Sequence, residues 1–306
     1  MKNNIVQFSN VSKLYPGVNA LDCINFNISK GSIHGFMGPN GAGKSTTMKI
    51  LAGLLKESSG EILFNSEKIE FLKDKSRIAY LPEVPAFYKG MTVDGFLSFC
   101  YQIFFKTKIK KEKLKYVLDI CGLESVNRRI INHLSKGFKQ KVAIAQSLII
   151  EPELIIMDEP TVGLDPLAQI ELRELIINLK KEHTIFLSSH LLHDLSLICD
   201  EITFIDKGNI ILSDTLENVL EKQSDKVFVT FKSLNWSNEF KSKIQSFSKC
   251  EIKETSSNNY MKIKCIFDFK IEENKFLKFL IDQNLEIVEF KKESADLEDL
   301  FLKGNK

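Results

Sequence analysis

One stretch of eight residues, Gly38 to Ser45, constrains the fold of this chain more than any other. It reads Gly-Pro-Asn-Gly-Ala-Gly-Lys-Ser and matches the pattern G-x-x-x-x-G-K-[ST] at every fixed position. A short apolar run, Ile33 to Met37, precedes it, and residues 46–55 after it carry apolar side chains at helical spacing. A strand, a glycine-rich turn and a helix start gather free backbone N–H groups around one point. The stretch therefore predicts an anion site.

The residue types in this loop fit a nucleoside triphosphate. Gly41 and Gly43 have no Cβ, so the loop can take positive φ angles and a pyrophosphate can approach the main chain. Lys44 supplies positive charge to the β- and γ-phosphates, and the Ser45 hydroxyl is placed for Mg²⁺. The alternative is a glycine-rich loop without a ligand. It does not explain why a predicted strand precedes the loop and a predicted helix follows it, as in a phosphate-binding site.

The composition predicts a globular protein of the reducing cytosol. The length of 306 residues suggests two domains, and 43% hydrophobic with 27% charged residues is ordinary for a soluble chain. A net charge of +2 argues against dedicated nucleic-acid binding. The six cysteines form no C-x-x-C pair, so we expect small core residues without a metal.

Neither the N-terminal residues nor the apolar runs of the chain predict membrane insertion. The first residues lack the apolar core of a signal peptide, so we expect a chain that is not exported. The most apolar runs, Phe96 to Phe105 and Leu148 to Met157, span about half of the roughly twenty residues that a membrane helix needs. If this protein works at a membrane, we expect it to act from the side.

The order of the predicted elements indicates an α/β core with additions. Alternation near Ile5 to Phe8 and Ile24 to Ile28 predicts an antiparallel piece, and residues of about 92–147 predict a helical insertion. The pattern changes near Leu220 to alternating strands and two helices, the last of them at 295–302. We therefore expect a nucleotide-binding domain at 1–219 and a small α+β module at 220–306, with no catalytic group found in the module.

Polar side chains stand where predicted buried strands end. Asp158 and Glu159 follow the apolar run Leu154 to Met157, where Asp158 can hold Mg²⁺ and Glu159 can polarise the attacking water. His190 ends the next strand and could donate to a γ-phosphate oxygen; the alternative is an ordinary surface histidine. Glu83 follows another strand at the ligand-facing edge, or is a solvated loop residue.

Two further features have both a functional and a structural explanation. Tyr15 lies before a Pro-Gly turn and either stacks on a purine base or packs locally. Ser135 is a good N-cap for the helix that follows, and the start Ser135-Lys136-Gly137 is also a second possible anion site.

A cluster of lysines lies inside the helical insertion. It is either a solvated helix face or a contact with anionic headgroups or with a partner. Its members are Lys106, Lys108, Lys110, Lys111, Lys113 and Lys115.

Taken together, the phosphate loop, the Leu-Ser-x-Gly helix start, the Asp-Glu pair, the turn Gly163-Leu164-Asp165 and the later histidine resemble the nucleotide-binding subunit of ATP-binding cassette (ABC) transporters. The resemblance covers about residues 1–218. It implies a P-loop ABC ATPase core, with an antiparallel β subdomain and a helical subdomain, followed by the α+β module.

The resemblance also implies a site shared between two copies. Two chains would sandwich two ATP molecules head to tail, and Ser135 and Gly137 of one chain would complete the pocket of the other, with Asp165 at the junction. Asp158, Glu159 and His190 would act beside the loop. The loop residues that would face ATP are Gly38, Pro39, Asn40, Gly41, Ala42, Gly43, Lys44, Ser45 and Thr46.

The chain departs from the family pattern at three positions. Lys136 and Phe138 replace the third and fifth residues of the usual Leu-Ser-Gly-Gly-Gln, and Glu83 replaces a glutamine that contacts Mg²⁺. These changes and the extra module resemble the exporter branch that handles drugs, peptides, antibiotics, lipids or sodium.

The leading hypothesis is an ATPase subunit at the inner face of the cell membrane that drives an export-type integral-membrane partner. One alternative is a soluble ABC ATPase acting on ribosomes or DNA. Such proteins usually carry two cassettes or a long coiled-coil insertion, and this chain has neither. Another is an immunity or regulatory module with little turnover, which the presence of Glu159 and His190 disfavours. The transported substrate is not readable from the sequence.

Overall fold

A computed structural model describes residues 3–69, 77–190, 192–221, 226–233, 237–247, 250–257, 260–267, 273–283 and 285–293. The helix expected at 295–302 lies outside these residues. The chain divides into two compact units, residues 1–215 and 216–306, and each is described by itself.

The first unit begins with an antiparallel sheet and continues into the strand that precedes the phosphate loop. Its strands and first helix are β1 (Asn4–Tyr15), β2 (Val18–Ser29), β3 (Ile33–Met37), α1 (Lys44–Leu51), β4 (Ser59–Phe64), β5 (Glu67–Lys68) and β6 (Ile78–Leu81). The antiparallel sheet has the order β2-β1-β4-β5. The β1–β2 hairpin extends beyond the two short strands expected from alternation.

A helical segment follows and is inserted between two strands of the central sheet. Its α-helices are α2 (Val93–Phe105), α3 (Lys111–Ile120) and α4 (Lys136–Leu148). Thr92 caps α2 by accepting a hydrogen bond from the N–H of Gly95, and Ser135 caps α4 by accepting one from Phe138. The side chains at these two caps explain why the helices begin where the sequence predicts.

The unit ends with the remaining strands of the central sheet. These elements are β7 (Leu154–Met157), α5 (Pro166–Leu179), β8 (Thr184–Ser189), α6 (Leu192–Ser196), β9 (Glu201–Asp206) and β10 (Asn209–Thr215). The six-stranded sheet has the order β10-β9-β3-β8-β7-β6, in which only the β9–β10 pair is antiparallel. Strand β3 therefore lies near the centre, and the five parallel strands end at one edge.

An aromatic core joins the antiparallel sheet to the central one. The rings of Phe8 and Phe26 stack with centroids 4.3 Å apart, and Phe26 lies 5.3 Å from Phe36 on β3. Phe36 in turn lies 5.3 Å from Phe186 on β8. These apolar contacts hold the loop strand in place, since burying a phenylalanine contributes about 1.5–3 kcal/mol.

The second unit has its own four-stranded sheet, of order β12-β13-β11-β14. Its elements are α7 (Leu216–Glu221), β11 (Lys226–Ser233), α8 (Asn238–Phe247), β12 (Cys250–Ser257), β13 (Tyr260–Phe267), α9 (Glu273–Asp282) and β14 (Glu286–Glu293). Its buried core includes Phe231, Ile263 and Phe276. Sequence patterning did not predict α8 or β12.

The cysteines are only partly core residues. Cys121, Cys199 and Cys265 are buried, and burial raises the pKa of the Cys121 thiol to about 12. Cys23, however, is exposed on the β1–β2 hairpin, so the expectation of a core position was wrong for this residue. It occupies a left-handed position with φ 47° in the irregular part of the hairpin, which turns its side chain outward.

Candidate functional site

The predicted site residues lie at the edge where the parallel strands end. The phosphate loop follows β3, Asp158 and Glu159 follow β7, and His190 follows β8. Strand β8 lies between β3 and β7 in the sheet, so its end stands between the loop and the acidic pair. This is the edge at which open α/β sheets bind their ligands.

Glycine is required in the loop for steric reasons. A Cβ on Gly38 would lie 2.3 Å from the carbonyl oxygen of Ile205, and one on Gly43 would lie 2.8 Å from that of Ala20. Gly41 has φ +81° and Gly43 has φ +113°, both in the left-handed region. The loop therefore packs directly on the backbones of β9 and the hairpin, which fixes its shape.

Lys44 begins α1 and its side chain folds back over the loop. Its Nζ donates to the carbonyl oxygens of Gly38 at 2.7 Å and Pro39 at 3.3 Å. The residue is 6% exposed, and its Nζ lies 3.5 Å from Oε1 of Glu159. The ammonium group thus lies between the loop and the acidic pair.

The first turn of α1 presents the residues next to Lys44 to solvent. Ser45 and Thr46 are half-buried, and among the described residues the Ser45 hydroxyl has no hydrogen-bond partner. Gly41 and Asn40 are exposed, whereas Ala42 is buried and its N–H donates to the carbonyl oxygen of Pro39 at 3.1 Å. The open hydroxyl and the free N–H groups of a helix start suit an anion with its metal.

Ser188 on β8 ties the two acids together. Its hydroxyl donates to Oδ1 of Asp158 at 2.7 Å and accepts the backbone N–H of Glu159 at 2.9 Å. Ser188 has no exposed surface, and Asp158 is 3% exposed. Sequence reasoning missed this residue, since Ser188 appeared only as the end of a strand and its position opposite β7 follows from the sheet order.

Glu159 is held in an unusual backbone conformation with both carboxylate oxygens engaged. Its φ is 47°, a left-handed value that costs a non-glycine residue about 1–3 kcal/mol. Nδ1 of His190 lies 2.9 Å from Oε2, and Nζ of Lys44 lies 3.5 Å from Oε1. Backbone strain of this kind concentrates at functional sites. Glu159 itself is 9% exposed.

Tyr80 on β6 is a second group that sequence reasoning missed. Its hydroxyl donates to Oδ2 of Asp158 at 3.4 Å. Burial first, then the charge of Asp158 and the bond to it, raise the pKa of Tyr80 well above its usual value, and the nearby charge of Glu83 adds to the effect. Tyr80 therefore stays protonated and acts as a donor to Asp158 at any physiological pH.

The start of α4 contacts the segment before α5. Nζ of Lys136 donates to the carbonyl oxygen of Val162 at 2.7 Å, and a Cβ on Gly163 would lie 2.3 Å from that same Nζ. A Cβ on Gly137 would lie 3.0 Å from Cβ of Ala168. The lysine that departs from the family pattern thus links two predicted site segments.

Several predicted residues lie outside the network of Lys44, Asp158, Glu159 and His190. Asp165 caps α5 by accepting from Ala168 N–H at 3.0 Å, and Ser135 bonds only within its own helix start among the described residues. Tyr15 is 41% exposed, with Nζ of Lys13 5.2 Å from its ring centre. Glu83 is exposed in the loop after β6.

Comparison with known proteins decides the family. The sequence pattern of the ABC transporter family matches residues 21–162. The bacitracin transport ATP-binding protein of Bacillus licheniformis is 30% identical over 98% of this chain and 97% of its own length. The chain belongs to the ABC transporter family.

Other ABC proteins extend this result. The lantibiotic transport ATP-binding protein of Streptococcus pyogenes is 37% identical over 72% of this chain and 97% of its own length. A solved ATP-binding cassette, dimeric and in a post-hydrolysis state with ADP and phosphate, is 25% identical with a TM-score of 0.62. The match covers 69% of this chain and 98% of the cassette.

The predictions of family, fold class and activity are confirmed. This ABC subunit has the mixed α/β sheets of a P-loop cassette, binds ATP and hydrolyses it to ADP and phosphate. It is an ATP-binding subunit of an ABC transporter. No helix of the described residues has the length and apolar character to cross a membrane.

Proposed function

We propose that this subunit hydrolyses MgATP at the edge formed by the loop, Asp158, Glu159 and His190, within a site shared by two copies, and so drives export through a separate membrane partner. The observation that carries the proposal is the network in which the buried Ser188 links Asp158 to Glu159 while the buried Lys44 and the exposed His190 flank the Glu159 carboxylate.

The loop holds the phosphates in this proposal. The backbone N–H groups at the start of α1 point to one place, and Gly38 and Gly43 let the loop pack against Ile205 and Ala20, where a Cβ would clash. Lys44 adds the positive charge on the side of the β- and γ-phosphates. Tyr15, at the tip of the hairpin that packs against the loop, stacks on the base.

Glu159 accepts the proton of the attacking water. Its carboxylate is fixed by the left-handed backbone and by His190, so little reorganisation is needed when the water is deprotonated. His190 donates to a γ-phosphate oxygen from the neighbouring strand end. The two residues follow the ends of β7 and β8, which are adjacent in the sheet, so the base and the donor are held side by side.

Residues beside the loop fit a magnesium ion. The open Ser45 hydroxyl and the carboxylate of Asp158 are oxygen ligands of the kind Mg²⁺ prefers, Asp158 acting through water, with Glu83 as a further ligand. Asp158 already receives hydrogen bonds from Ser188 and Tyr80, which orient it. Bound there, Mg²⁺ would neutralise charge on the phosphate oxygens.

A second copy completes the site from the opposite side. Ser135 is exposed at the start of the 13-residue helix α4, whose N-terminus favours negative charge. The head-to-tail arrangement places Ser135 and Gly137 of one copy on the ATP of the other, with Asp165 at the junction. The dimeric relative with ADP and phosphate supports this arrangement.

The membrane partner binds at an apolar groove between β6 and the helical segment. The groove has a volume of about 510 Å³ and is lined by Tyr88, Phe96, Phe99, Ile103 and Phe104, among others. Tyr88 and Ile103 are each 60% exposed, more than packing within this chain requires. The subunit therefore lies on the inner face of the cell membrane. The names of the bacitracin and lantibiotic relatives support peptide antibiotics as the exported class.

Glu159→Gln tests the proposal. The variant keeps ATP binding, lowers the rate of phosphate release by about 10² or more, and accumulates as a dimer with ATP. Glu174→Gln is a matched control because Glu174 is exposed on α5 and has no ion pair with a described residue. Wild-type turnover in Glu159→Gln would refute the role of the base.

Mixing variants tests the sharing of the site. Ser135→Ala lowers hydrolysis on its own, and mixing it with Lys44→Ala restores part of the activity, because a mixed dimer retains one intact site. Lys44→Ala alone loses ATP affinity. If mixtures show only the average of the two separate activities, the two copies do not share a site.

A further inference from the structure

We propose that the corner between α2 and α3, made of Phe104, Phe105 and the lysines from Lys106 to Lys115, binds the surface of a membrane containing anionic lipids. The occupant is the lipid headgroup layer itself, and the contact needs neither ATP nor a partner protein. It is therefore separate from the hydrolytic site, and it adjoins the apolar groove, which shares Phe104 with it.

The charge of this corner is concentrated and open. Residues 106–115 contain six lysines and one glutamate, while the whole chain has a net charge of +2, so the rest of the chain is net negative. Five of the lysines have exposed side chains and no acidic partner within 4.0 Å among the described residues: Lys106, Lys108, Lys110, Lys111 and Lys115. A solvated helix face usually intersperses both signs evenly, whereas this one has a single glutamate among six lysines.

Lys113 shows how the two helices form one corner. Its Nζ lies 5.1 Å from the ring centre of Tyr101 and 5.6 Å from that of Phe105, both on α2, and pairs with Glu151 at 2.8 Å. The last turn of α2 and the first turn of α3 are thereby held together. The sixth lysine, Lys113, therefore has a structural role, and the five open lysines surround the corner that it holds together.

Apolar side chains lie next to the charged lysines, which favours contact with lipid rather than with dissolved counter-ions alone. Ile103 is 60% exposed, Phe104 41% and Phe105 38%. Aromatic rings at the edge of a basic surface insert at the headgroup level, while lysine stems lie along apolar material with the ammonium groups in water. Anionic lipid attracts such clusters with a strength that adds up over the lysines.

The position of the corner beside the apolar groove indicates how the subunit is oriented on the membrane. Ile103 and Phe104 line the apolar groove and also end the helix from which the lysines extend. A surface for a membrane-embedded partner and a basic surface for headgroups are thus adjacent on one helix end. The corner would hold the subunit at the membrane before or between encounters with that partner.

The test is sedimentation of the full chain, without nucleotide, with sucrose-loaded vesicles of phosphatidylcholine alone or with about one third phosphatidylserine. We expect binding to the anionic vesicles only. Binding weakens as salt rises, since the screening length falls from about 10 Å at 0.1 M to about 3 Å at 1 M. Equal binding to both vesicle types would overturn the proposal.

The matched variants locate the contact. The triple change of Lys108, Lys110 and Lys111 to Gln should lower partitioning about tenfold or more, since one lysine near an anionic surface contributes up to about fivefold. The control changes three other exposed lysines without an acidic partner among the described residues: Lys49, Lys56 and Lys207. It should stay within about twofold of wild type.

ATP hydrolysis in solution should be unchanged in both triple variants, which separates a lost contact from a damaged fold. Phe104→Ser should remove the part of the binding that survives high salt. If the triple variant binds vesicles like wild type but no longer co-purifies with the membrane subunit, the corner binds protein, and the lipid proposal is wrong.

Discussion

Ser188→Ala should destabilise the first unit and slow hydrolysis without weakening ATP binding. Ser188 is fully buried and makes two hydrogen bonds, to the Asp158 carboxylate and from the Glu159 N–H. Losing a bond to a charged acceptor costs about 1.5–3 kcal/mol, and leaving a buried N–H unpaired costs about 1–3 kcal/mol. Since the two losses arise at one side chain and are not additive, we expect about 2–4 kcal/mol in total.

The kinetic effect follows from the backbone of Glu159. Its φ of 47° persists because the surroundings fix it, and Ser188 is one of the groups that bind its N–H. Releasing that N–H lets the carboxylate shift, and a displacement of about 1 Å can cost up to 10² in rate. We expect kcat to fall about 10- to 100-fold while the affinity for ATP changes by less than about threefold, because the loop is untouched.

Urea unfolding and steady-state phosphate release measure the two effects. The control is Ser147→Ala, which removes a hydroxyl of a residue that is 7% exposed and that, among the described residues, bonds only to the carbonyl oxygen of Ala143 within α4 at 3.2 Å. That change should stay within about 0.5 kcal/mol of wild type, because alanine is the better helix former. Wild-type stability and turnover in Ser188→Ala would refute the bridging role.

Three further predictions concern other parts of the first unit. Gly38→Ala should abolish ATP binding, because the new Cβ would lie 2.3 Å from the carbonyl oxygen of Ile205 and the loop must move; a fluorescent nucleotide measures it. Alkylation of Cys100 in the folded protein should rise about tenfold per pH unit with no plateau up to pH 9.5, because burial raises the pKa of its thiol to about 11 and only the thiolate reacts. Lys136→Met should reduce the turnover rate severalfold, because it removes the bond that links the start of α4 to the segment before α5. The free energy of unfolding should be nearly unchanged, since that bond to the carbonyl oxygen of Val162 is exposed.

Each of these predictions has its own control. Gly90→Ala is the control for Gly38, since nothing lies within 4 Å of a Cβ there. Free cysteine, which titrates near pH 8.5, calibrates the thiol reaction, and a plateau for Cys100 near pH 9 would contradict the burial argument. For Lys136, substitution by Arg should keep most activity; equal loss in the Met and Arg variants would show that the Val162 contact has no role.

The sequence predicted the strand ends better than the contacts between them. The loop after β3 and the acids after β7 were predicted because glycine spacing and continuous apolar runs are local signals. The roles of Ser188 and Tyr80 depend on strand order, which places β8 and β6 on either side of β7. Residues far apart in sequence thereby become neighbours, and no local pattern encodes that.

The backbone of Glu159 and the polar elements of the second unit show two other limits. Left-handed φ angles are common only for glycine, asparagine and aspartate, so a strained glutamate has no sequence signature. Helix α8 and strand β12 are rich in lysine, serine and glutamate, so their apolar content is low, even though Phe240, Ile244 and Phe247 recur at helical spacing in α8. Their apolar residues nevertheless serve the core of that unit, since Ile244 on α8 is buried in it and Ile252 on β12 packs against it.

The position of Lys44 links ATP binding to the release of the base. Its ammonium group contacts Gly38 O, Pro39 O and, at 3.5 Å, Glu159 Oε1, so it cannot serve the phosphates fully while it keeps all three. A γ-phosphate carries more negative charge than one carboxylate, so in the proposed mechanism we expect Lys44 to move toward it and to leave Oε1 to a water, while His190 keeps Oε2 in place. Glutamine at position 159 removes both the competing partner of Lys44 and a negative charge near the γ-phosphate. Glu159→Gln should therefore bind ATP at least as tightly as the wild type, and weaker binding would mean that Lys44 does not exchange between the two anions.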